Sequence, residues 1–514
     1  MSALAAAQRA ARQRLLNAYL RETGVHDVPL GELPILLPAT GQTVIVQVCH
    51  RSPFGHHAYA DVTVPGHEDL IRALLAELEA TTGYPGAAEL TGAIRNSVDR
   101  TARYLAHGRP APAITPHAIT RRAEQNVLFG HPFHPTPKSA EGFADNDLDR
   151  YAPELGAQFV PHYFAVAGEL VAEVRVTPGP WVPDEVATSI PDGYAALPAH
   201  PWQAAHLLRR PAVTALVREG GLVPLGPLGR PVYPTSSVRT VCDPQFPTAW
   251  KLPLHVRVTN FIRNNPSEQL RRATDASLLA GHLPAHPGFG VLRETGYRTV
   301  DPRVVGAELA AELAVLYREN PFVHNGSSPR VLAGLLDDPA ELIHCVQQAG
   351  DVLEWLRRYL HIALRPLLAV FASDGMSFEA HVQNSLLCTD GGWPVQFWVR
   401  DLEGAAVSRT RLAHDLLAAH SPALYDDAEA WLRLQYHAVT NQLGHVIHVL
   451  GRYTTAGEEK LWAVAREVAS SWPEAAELLA APVLPAKANL ISRFAGHGER
   501  PLYVDVPNPL RELP

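Results

Sequence analysis

The chain has 514 residues, of which 46% are hydrophobic and 19% charged. This composition is typical of a folded globular protein, and the length suggests about three domains. The formal net charge of −8 argues against nucleic acid as the main partner. No apolar run is long enough to span a membrane, and residues 1–24 lack the apolar core of a secretion signal. The four cysteines form no CxxC pair, so we expect reduced thiols, a cytoplasmic location and no membrane partner.

The first predicted domain, residues 1–112, has the pattern of mixed helix and strand. Apolar residues at helical spacing predict a helix over 4–20, and alternating β-branched residues predict a strand over 43–48. A second helix is predicted over 67–82, because Gly83 and Pro85 follow it. Residues 108–112 are rich in glycine and proline, which predicts a linker.

The second predicted domain, residues 113–301, is rich in proline, glycine and residues that favour strands. Residues 159–164 and 168–176 are predicted to be paired strands. Residues 248–263 are predicted to form another strand region, in which Pro253 limits pairing.

The third predicted domain, residues 302–514, is dominated by helical patterns. One predicted β-hairpin interrupts it, with strands over 385–389 and 394–399 joined by Asp390-Gly391-Gly392. The fold class is therefore predicted to be α+β, with a β-rich centre and a largely helical C-terminal part. Helices are predicted over 304–318, 349–372, 409–419, 428–450 and 458–471.

Lysine is rare in this chain, since only four of the 44 basic residues are lysine. A lysine that is kept against such a bias indicates a position that needs a compact ammonium group. Lys138 and Lys251 lie inside polar motifs, whereas Lys460 follows two glutamates and is typical of a solvated helix face. The fourth lysine is Lys487.

The first polar motif is the stretch 130–139, which contains His131, His134, Lys138 and Ser139. Its closely spaced prolines predict an extended backbone, because each proline fixes its own φ and restricts the preceding residue. Two imidazoles, an ammonium and a hydroxyl on a stiff scaffold suit an anionic ligand. A proline-rich surface loop with incidental histidines is the simpler alternative.

The second polar motif combines Thr235-Ser236-Ser237-Val238-Arg239-Thr240 with Lys251 and the stretch 259–263. Hydroxyls beside arginine and lysine hold phosphate or carboxylate oxygens. Lys251 lies between apolar neighbours, so its charge is expected to enter an interior that must supply an anion. A capped turn would explain the serines alone equally well.

The third and fourth motifs are the stretches 378–384 and 400–404. If 378–384 closes a helix, Glu379 and Gln383 share one face, and the hairpin then brings Glu379, Asn384 and Asp401 close together. Oxygen ligands on separate elements are what Mg²⁺ with a nucleotide requires. Helix caps and hairpin salt bridges would be the purely structural explanation.

Several enzyme classes are excluded by the motifs that the chain lacks. It contains no GxxxxGK[ST] of P-loop enzymes, and no GxGxxG, HExxH or GxSxG.

The ordered set of motifs resembles the aerobactin-synthetase (IucA/IucC) family, the siderophore synthetases that work without a nonribosomal peptide synthetase. The resemblance covers roughly 115–410, with a less sharp match at 487–493. It is carried by His-Pro-x-His-Pro-x-x-Lys at 131–138, Ser-Ser-x-Arg-Thr at 236–240, Lys251 with Thr259 and Arg263, Glu-x-His-x-Gln-Asn at 379–384 and Arg-Asp-x-x-Gly at 400–404.

The resemblance implies a cupped-hand fold with thumb (1–112), fingers (113–301) and palm (302–514). It implies that a carboxylate of citrate, or of a related acid, attacks the α-phosphate of ATP, and that an amine or alcohol then displaces AMP. A homodimer is compatible with it.

The resemblance also implies roles for the motif residues. The catalytic groups would be Lys251, Arg263 and His381, with Glu379 and Asp401 as ligands of Mg²⁺. The acid would contact Arg263 and the neighbouring His131, His134 and Lys138. The nucleotide would be held by Ser236, Ser237, Arg239, Thr240, Lys251, Thr259, Gln383 and Asn384.

Two other functions remain open from the sequence. A small-molecule phosphotransferase would also place an asparagine and an aspartate around a hairpin, and it would release ADP. A non-catalytic siderophore- or citrate-binding protein would explain the basic groups, but it leaves the acids at 379 and 401 without a purpose.

Overall fold

The computed structural model describes residues 2–60, 66–109, 111–259, 261–321, 327–497 and 500–511. Helices and strands both occur along the whole chain without a repeating unit, and most strand pairs are antiparallel, as in an α+β protein. The helices are α1 (Ala3–Glu22), α2 (His67–Thr82), α3 (Ala87–His107), α4 (Pro116–Gln125), α5 (Asp145–Tyr151), α6 (Asp184–Ala187), α7 (Pro201–Leu207), α8 (Pro211–Arg218), α9 (Ser267–Ala280), α10 (Pro302–Val305), α11 (Ala307–Leu313), α12 (Leu332–Asp337), α13 (Pro339–Ala349), α14 (Val352–Ile362), α15 (Leu364–Asp374), α16 (Asp427–Leu434), α17 (Gly444–Tyr453), α18 (Glu458–Ala469), α19 (Ala476–Ala480) and α20 (Asn489–Phe494).

The strands are short, and most of them are antiparallel to their neighbours. They are β1 (Gly31–Leu37), β2 (Gln42–His50), β3 (Ala58–Tyr59), β4 (Ala140–Glu141), β5 (His162–Ala167), β6 (Val171–Arg175), β7 (Tyr194–Ala199), β8 (Leu222–Pro227), β9 (Tyr233–Pro234), β10 (Thr240–Cys242), β11 (Thr248–Lys251), β12 (Leu254–Val258), β13 (Phe261–Arg263), β14 (Phe289–Leu292), β15 (Glu294–Val300), β16 (Val315–Glu319), β17 (Arg330–Val331), β18 (Met376–Ser377), β19 (Ser385–Asp390), β20 (Trp393–Arg400), β21 (Ala406–Ser408), β22 (Leu424–Tyr425), β23 (Val483–Lys487) and β24 (Tyr503–Pro507).

Two sheets carry most of the polar motifs. The six-stranded sheet has the order β6-β15-β16-β11-β10-β9, and the four-stranded sheet has the order β14-β20-β19-β17. A small sheet β13-β12-β4 joins the stretch after the first motif to β12 and β13, since Val258 pairs with Ala140. Thr259 follows β12, and Arg263 ends β13. Parts of the chain more than a hundred residues apart therefore meet around one region.

Three large hydrophobic cores support these sheets. The first packs α1, α2 and α3 on β1 and β2, and it takes Leu490 and Phe494 from α20 near the C-terminus. The second lies within residues 104–317, and the third within 276–510 together with Phe54. These cores follow the thumb, fingers and palm division in outline and cross both of its boundaries, so we keep that division as a proposal.

Several predicted elements are confirmed. The helix over 67–82 has the predicted bounds, because Gly83 adopts φ 69° and closes it in the left-handed conformation. The predicted hairpin is β19–β20, with Gly391 and Gly392 both at positive φ, as a two-residue turn of this kind requires. The predicted linker is confirmed in the described residues 108, 109, 111 and 112, which have no regular structure.

Other predicted elements are wrong for identifiable reasons. The predicted helix over 304–318 ends at Leu313, because Val315–Glu319 is a central strand of the six-stranded sheet. Residues 409–419 form turns instead of a helix. Strands β5 and β6 do not pair with each other, since β5 lies between β7 and β8 while β6 borders β15.

Two polar motifs also differ from their predicted backbone. Residues 378–384 form a turn that leads into β19 rather than a helix end, so the predicted sharing of a helical face does not apply. Residues 130–139 form successive turns instead of an extended segment. Phe133, His134 and Thr136 of this stretch are buried, which excludes the alternative of a proline-rich surface loop.

Candidate active site

One cavity of about 830 Å³ is lined by residues from all four polar motifs. Every predicted site residue except Thr240 lines it. Thr240 is buried in β10 and is paired in register with Lys251 of β11, where its backbone supports that lysine. Among the described residues that line the cavity, eleven are arginine or lysine and four are aspartate or glutamate. The cavity is therefore suited to ligands that carry several negative charges.

Two sets of lining residues differ in origin. The motif wall consists of Ser236, Ser237, Arg239, Lys251, Thr259, Arg263, Glu379, His381, Gln383, Asn384, Asp401 and Glu403. The helical wall consists of Ala6, Arg9, Ala10, Gln13, Arg14, Asn17, His56, Tyr59, His445, His448, Val449, Arg452 and Tyr453.

The serine motif forms a tight turn between β9 and β10. The Thr235 N–H donates to Thr240 O at 2.8 Å, and the Val238 N–H donates to Thr235 O at 2.8 Å. The hydroxyl oxygen of Ser237 accepts the Thr240 N–H at 3.1 Å. The turn thus holds hydroxyls and arginine against the cavity in a fixed arrangement.

A buried ion-pair network centres on Lys251. Its ammonium contacts Asp401 and lies 2.8 Å from Glu403 Oε2. Arg318 Nη2 lies 3.0 Å from the same Asp401 and 2.7 Å from Glu294. Burial alone would raise the pKa of Asp401, but Lys251 and Arg318 hold it well below its ordinary value. The predicted burial of Lys251 beside an anion is confirmed, and this protein itself supplies that anion in the absence of ligand.

Arg239 and Arg263 are held by neutral acceptors. Arg239 Nη1 donates to Arg263 O at 3.0 Å and to Asn265 Oδ1 at 2.5 Å. Arg263 Nη2 donates to Val258 O at 2.9 Å and to Thr259 Oγ1 at 2.8 Å. Burial lowers the pKa of Arg263 to about 10, with the neighbouring Arg239 adding to this effect. Arg239 Nη2 also lies 3.7 Å from Glu403 Oε1, whereas no described carboxylate lies within ion-pair distance of Arg263. An anionic ligand would therefore stabilise the buried guanidinium of Arg263.

Backbone strain coincides with the cavity. Among the described residues, the non-glycine positions with positive φ are Val238 (68°), Thr259 (60°) and Asp401 (71°). This conformation costs free energy for any side chain, and most for β-branched valine and threonine. All three lie within the motifs, and such clustered strain is a mark of functional sites. Asn260, which lies between Thr259 and β13, is outside the described residues.

A second buried network links the serine turn to the segment before β19. Glu124 accepts the backbone N–H and the hydroxyl of Ser236 at 3.1 and 3.0 Å, and it also binds Arg400 at 3.1 Å. Gln383 Nε2 donates to Ser236 O at 3.0 Å. Sequence reasoning did not identify Glu124, because it lies on α4 outside every motif.

His381 offers a neutral donor to the cavity. Its Nδ1 accepts the backbone N–H groups of Gln383 (3.2 Å) and Asn384 (3.3 Å), so the proton resides on Nε2. Burial lowers the pKa of His381, against the opposing effect of Glu379. The imidazole is therefore neutral at pH 7 and can donate to a phosphate or carboxylate oxygen.

Glu379 packs directly on the backbone of Gly404. A Cβ at position 404 would come within 2.0 Å of Glu379 Oε2, which explains the glycine of the Arg-Asp-x-x-Gly motif. Glu379, Asp401 and Glu403 thus present carboxylates from adjacent segments. Hard oxygen donors of this kind fit Mg²⁺, although Asp401 and Glu403 engage cations in the structure.

The histidines of the first motif also reach the cavity. His131 Nε2 lies 3.1 Å from Asn441 Nδ2, and its Nδ1 accepts the Phe133 N–H. His134 Nδ1 accepts the Thr136 N–H at 3.1 Å. The Lys138 ammonium binds Glu154 at 2.5 Å, and both side chains are buried. Lys138 thus serves at least as a structural ion pair beside the cavity.

Sequence reasoning assigned no site role to any residue of the helical wall or to the buried lysine Lys487. Lys487 of β23 lies over the Tyr436 ring, 5.1 Å from its centroid. Burial lowers the pKa of Lys487, while Glu379 opposes this effect. Two sequence signals pointed to Lys487: the rarity of lysine in this chain and the less sharp family match at 487–493. Arg14, on α1, carried no comparable signal because it belongs to an ordinary helical pattern.

Two models of known protein families match this chain. The IucA / IucC family model matches residues 120–337, and a model described as ferric iron reductase FhuF-like transporter matches residues 353–502. No described helix is long and apolar enough to cross a membrane.

The curated relatives align over nearly the whole chain. The L-2,3-diaminopropanoate–citrate ligase of Staphylococcus aureus is 34% identical, over 98% of this chain and 96% of the relative. The spermidine–citrate ligase of Bacillus anthracis is 28% identical, over 98% of both proteins.

Solved structures share the fold. The ATP-bound aerobactin synthetase IucA of Klebsiella pneumoniae superposes with a TM-score of 0.84 at 23% identity, covering 98% of this chain and 100% of that one. The petrobactin biosynthesis protein AsbB of Bacillus anthracis gives 0.82 at 16% identity, over 99% and 96%. The predicted resemblance and the α+β fold are thereby confirmed: the chain is a ligase that belongs to the IucA / IucC family of siderophore synthetases.

Proposed function

We propose that this enzyme uses ATP to adenylate a carboxylate of citrate and then joins the acyl group to an amine that carries its own carboxylate. The observation that supports this most directly is the motif wall, where arginines, Lys251 and neutral donors converge on one cavity. Citrate is the acid named for both relatives described above.

In the first step, a citrate carboxylate oxygen attacks the α-phosphorus of ATP, and the bond to the β-phosphate oxygen breaks to release pyrophosphate. Charge builds on the α-phosphate oxygens during this step. Arg263 and the Nε2–H of His381 are proposed to donate to those oxygens, since fixed donors at developing charge lower the barrier. Ser236, Ser237, Arg239, Lys251, Thr259, Gln383 and Asn384 are proposed to hold the nucleotide, with Thr240 supporting Lys251 from β10.

The ion-pair network around Lys251 indicates which protein groups a bound triphosphate would have to displace. Lys251 is paired with Asp401 and Glu403, and Arg318 with Asp401. A triphosphate would compete for both cations and free the carboxylates. We propose that Glu379 and Asp401 then hold Mg²⁺, which would supply positive charge to neutralise the triphosphate.

The remaining carboxylates of citrate need cations that the nucleotide does not use. Lys487 is buried, and no described carboxylate lies within ion-pair distance of its ammonium. We propose that Lys487 binds the acid together with Arg263, and that His131 and His134 line the same subsite. Lys138 remains a weaker member of this proposal because Glu154 already neutralises it.

In the second step, the amine nitrogen attacks the acyl carbon and AMP leaves. The helical wall contains Arg9, Arg14 and Arg452, and it contains no acid among the described residues. Arg14 is buried and is hydrogen-bonded to Phe129 O at 3.0 Å. A polyamine such as spermidine would be repelled by this wall, whereas an amino acid would place its carboxylate against it.

The experiment is an assay with ATP, Mg²⁺ and citrate that separates AMP from ADP. The proposal predicts AMP and pyrophosphate, with L-2,3-diaminopropanoate as a better amine than spermidine. ADP would support the phosphotransferase alternative, and ATP binding without turnover for any acid would support a binding protein.

A cytoplasmic location is also part of the proposal. Cytoplasmic ATP and four free cysteines fit a reducing compartment. The homodimer stays a prediction that size-exclusion chromatography with light scattering would test.

A further inference from the structure

A compact group of two histidines and one glutamate lies where the N-terminal sheet meets the palm helices. His50 ends β2, His448 lies on α17, and Glu458 begins α18. His50 Nε2 lies 2.8 Å from Glu458 Oε1, and His448 Nδ1 lies 2.9 Å from the same oxygen. Two imidazole nitrogens from different elements thus meet one carboxylate oxygen from a third, and the three possible ligand atoms lie within 4.8 Å of one another.

The group is shielded from solvent. The side chains of His50, His448 and Glu458 are 24%, 9% and 6% exposed. Ser52 donates its hydroxyl to Glu458 Oε2 at 2.8 Å, which fixes the carboxylate and turns its other oxygen to the imidazoles. Metal-binding carboxylates are commonly oriented in this way by an outer hydrogen bond.

The geometry points to a binding site for one divalent transition-metal ion, such as Zn²⁺, held by His50, His448 and Glu458. Imidazole nitrogen with carboxylate oxygen is the donor set that such ions prefer. Tetrahedral ligands about 2.1 Å from Zn²⁺ stand ~3.4 Å apart, so the two observed spacings must each widen slightly to admit the ion. The rings are inclined by 62°, so their in-plane lone pairs can converge.

A second group, His206, His255 and Glu312, has the same composition and serves as a comparison. Its imidazoles are stacked with an interplanar angle of 15°, so their lone pairs lie in nearly parallel planes. Arg210 also contacts Glu312, which places a positive charge beside any ion. This second group is therefore a poorer metal site despite its matching residues.

The first group has a structural consequence for the cavity. His448 lines the cavity, and His56 stacks on it with ring centroids 4.8 Å apart. A metal ion would join β2 to α17 and α18, and it would fix this part of the helical wall. The site differs from the Mg²⁺ site, since Mg²⁺ prefers oxygen ligands and binds imidazole poorly.

The test is calorimetric titration of the full-length, chelator-treated protein with ZnCl₂ in excess Mg²⁺, which keeps oxygen-only sites filled. We expect one equivalent of Zn²⁺ to bind and to raise Tm. His50→Gln and His448→Gln should each weaken binding more than about 100-fold, since loss of a mere outer-shell partner already costs 10–100-fold. His255→Gln is the matched control and should leave the binding isotherm unchanged.

Circular dichroism of each variant verifies folding, and His50, the most exposed of the three side chains, provides the variant that disturbs the core least. The inference is overturned if folded wild-type protein binds no Zn²⁺. It is equally overturned if His255→Gln abolishes binding while His50→Gln and His448→Gln retain it.

Discussion

The motif wall and the helical wall enclose one cavity but are built in different ways. The motif wall comes from short segments in which two or more polar residues lie within a few positions, as at 236–240 and 379–384. Its backbone is strained at Val238, Thr259 and Asp401. The helical wall takes most of its residues singly from α1 and α17, which are regular helices, and only His56 and Tyr59 come from the segment around β3.

This difference suggests a division of labour. Strained, densely bonded segments hold groups in fixed positions, as chemistry at phosphorus requires. Residues projecting from regular helices can be exchanged one at a time without disturbing the backbone, which suits the choice of an amine. The following substitutions separate the two roles.

The largest expected effect is on the chemical step. Arg263→Ala and His381→Ala should each reduce kcat by about 10²–10³ or more, the usual cost of removing one donor at developing charge, with smaller changes in ATP binding. Single-turnover measurement of AMP formation tests this. A variant that folds and keeps wild-type kcat would remove that residue from the α-phosphate.

Lys251→Ala should raise KM for ATP and lower kcat, because the buried cation facing the triphosphate is lost. Lys251→Arg should restore activity only in part, since a guanidinium differs from an ammonium in size and geometry. Breaking a buried pair can cost about 3–5 kcal/mol of stability, so Tm must be measured alongside. Normal ATP kinetics in folded Lys251→Ala would contradict the assignment.

Glu379→Gln and Asp401→Asn should raise the Mg²⁺ concentration needed for half-maximal activity. Both changes keep the side-chain shape, and asparagine tolerates the positive φ at position 401. Gly404→Ala should act in the same direction as Glu379→Gln, because its Cβ would displace that carboxylate. Unchanged Mg²⁺ dependence in both carboxylate variants would support structural salt bridges instead.

The smallest effect is expected in the helical wall. Arg452→Gln should raise KM for L-2,3-diaminopropanoate about tenfold, as loss of one charge-assisted hydrogen bond of ~1.5 kcal/mol predicts. KM for ATP should stay unchanged. Arg271→Gln, an exposed arginine outside the cavity, is the control. An equal rise in KM for spermidine, which has no carboxylate, would show that Arg452 does not bind the carboxylate of the amine substrate.

Much of the fold and one wall of the site could be predicted from the sequence. Local sequence signals predicted elements correctly where the local backbone conformation determines the structure, as at the helix end at Gly83 and the Gly391-Gly392 turn. Residues 315–319 were misassigned because burial in a central strand overrides a helical pattern. The turn at 378–384 has its conformation set by hydrogen bonds such as those to His381 Nδ1, which no spacing rule reveals.

The site residues missed from the sequence share one property. Glu124, Arg14 and Arg318 reach the site only through contacts with distant parts of the chain, such as Glu124 with Arg400, 276 residues away. Each lies in an ordinary helix or strand pattern, so periodicity assigns it to structure. Lys487 was distinguished by the rarity of lysine and by the less sharp family match at 487–493.

The most direct test of the adenylation proposal is to trap the activated acid. Wild-type enzyme with ATP, Mg²⁺, citrate and hydroxylamine should yield citryl hydroxamate, with AMP and pyrophosphate in equal amounts. His381→Ala should lower all three products together. Formation of ADP with an acyl phosphate would contradict adenylation and identify the enzyme as a phosphotransferase.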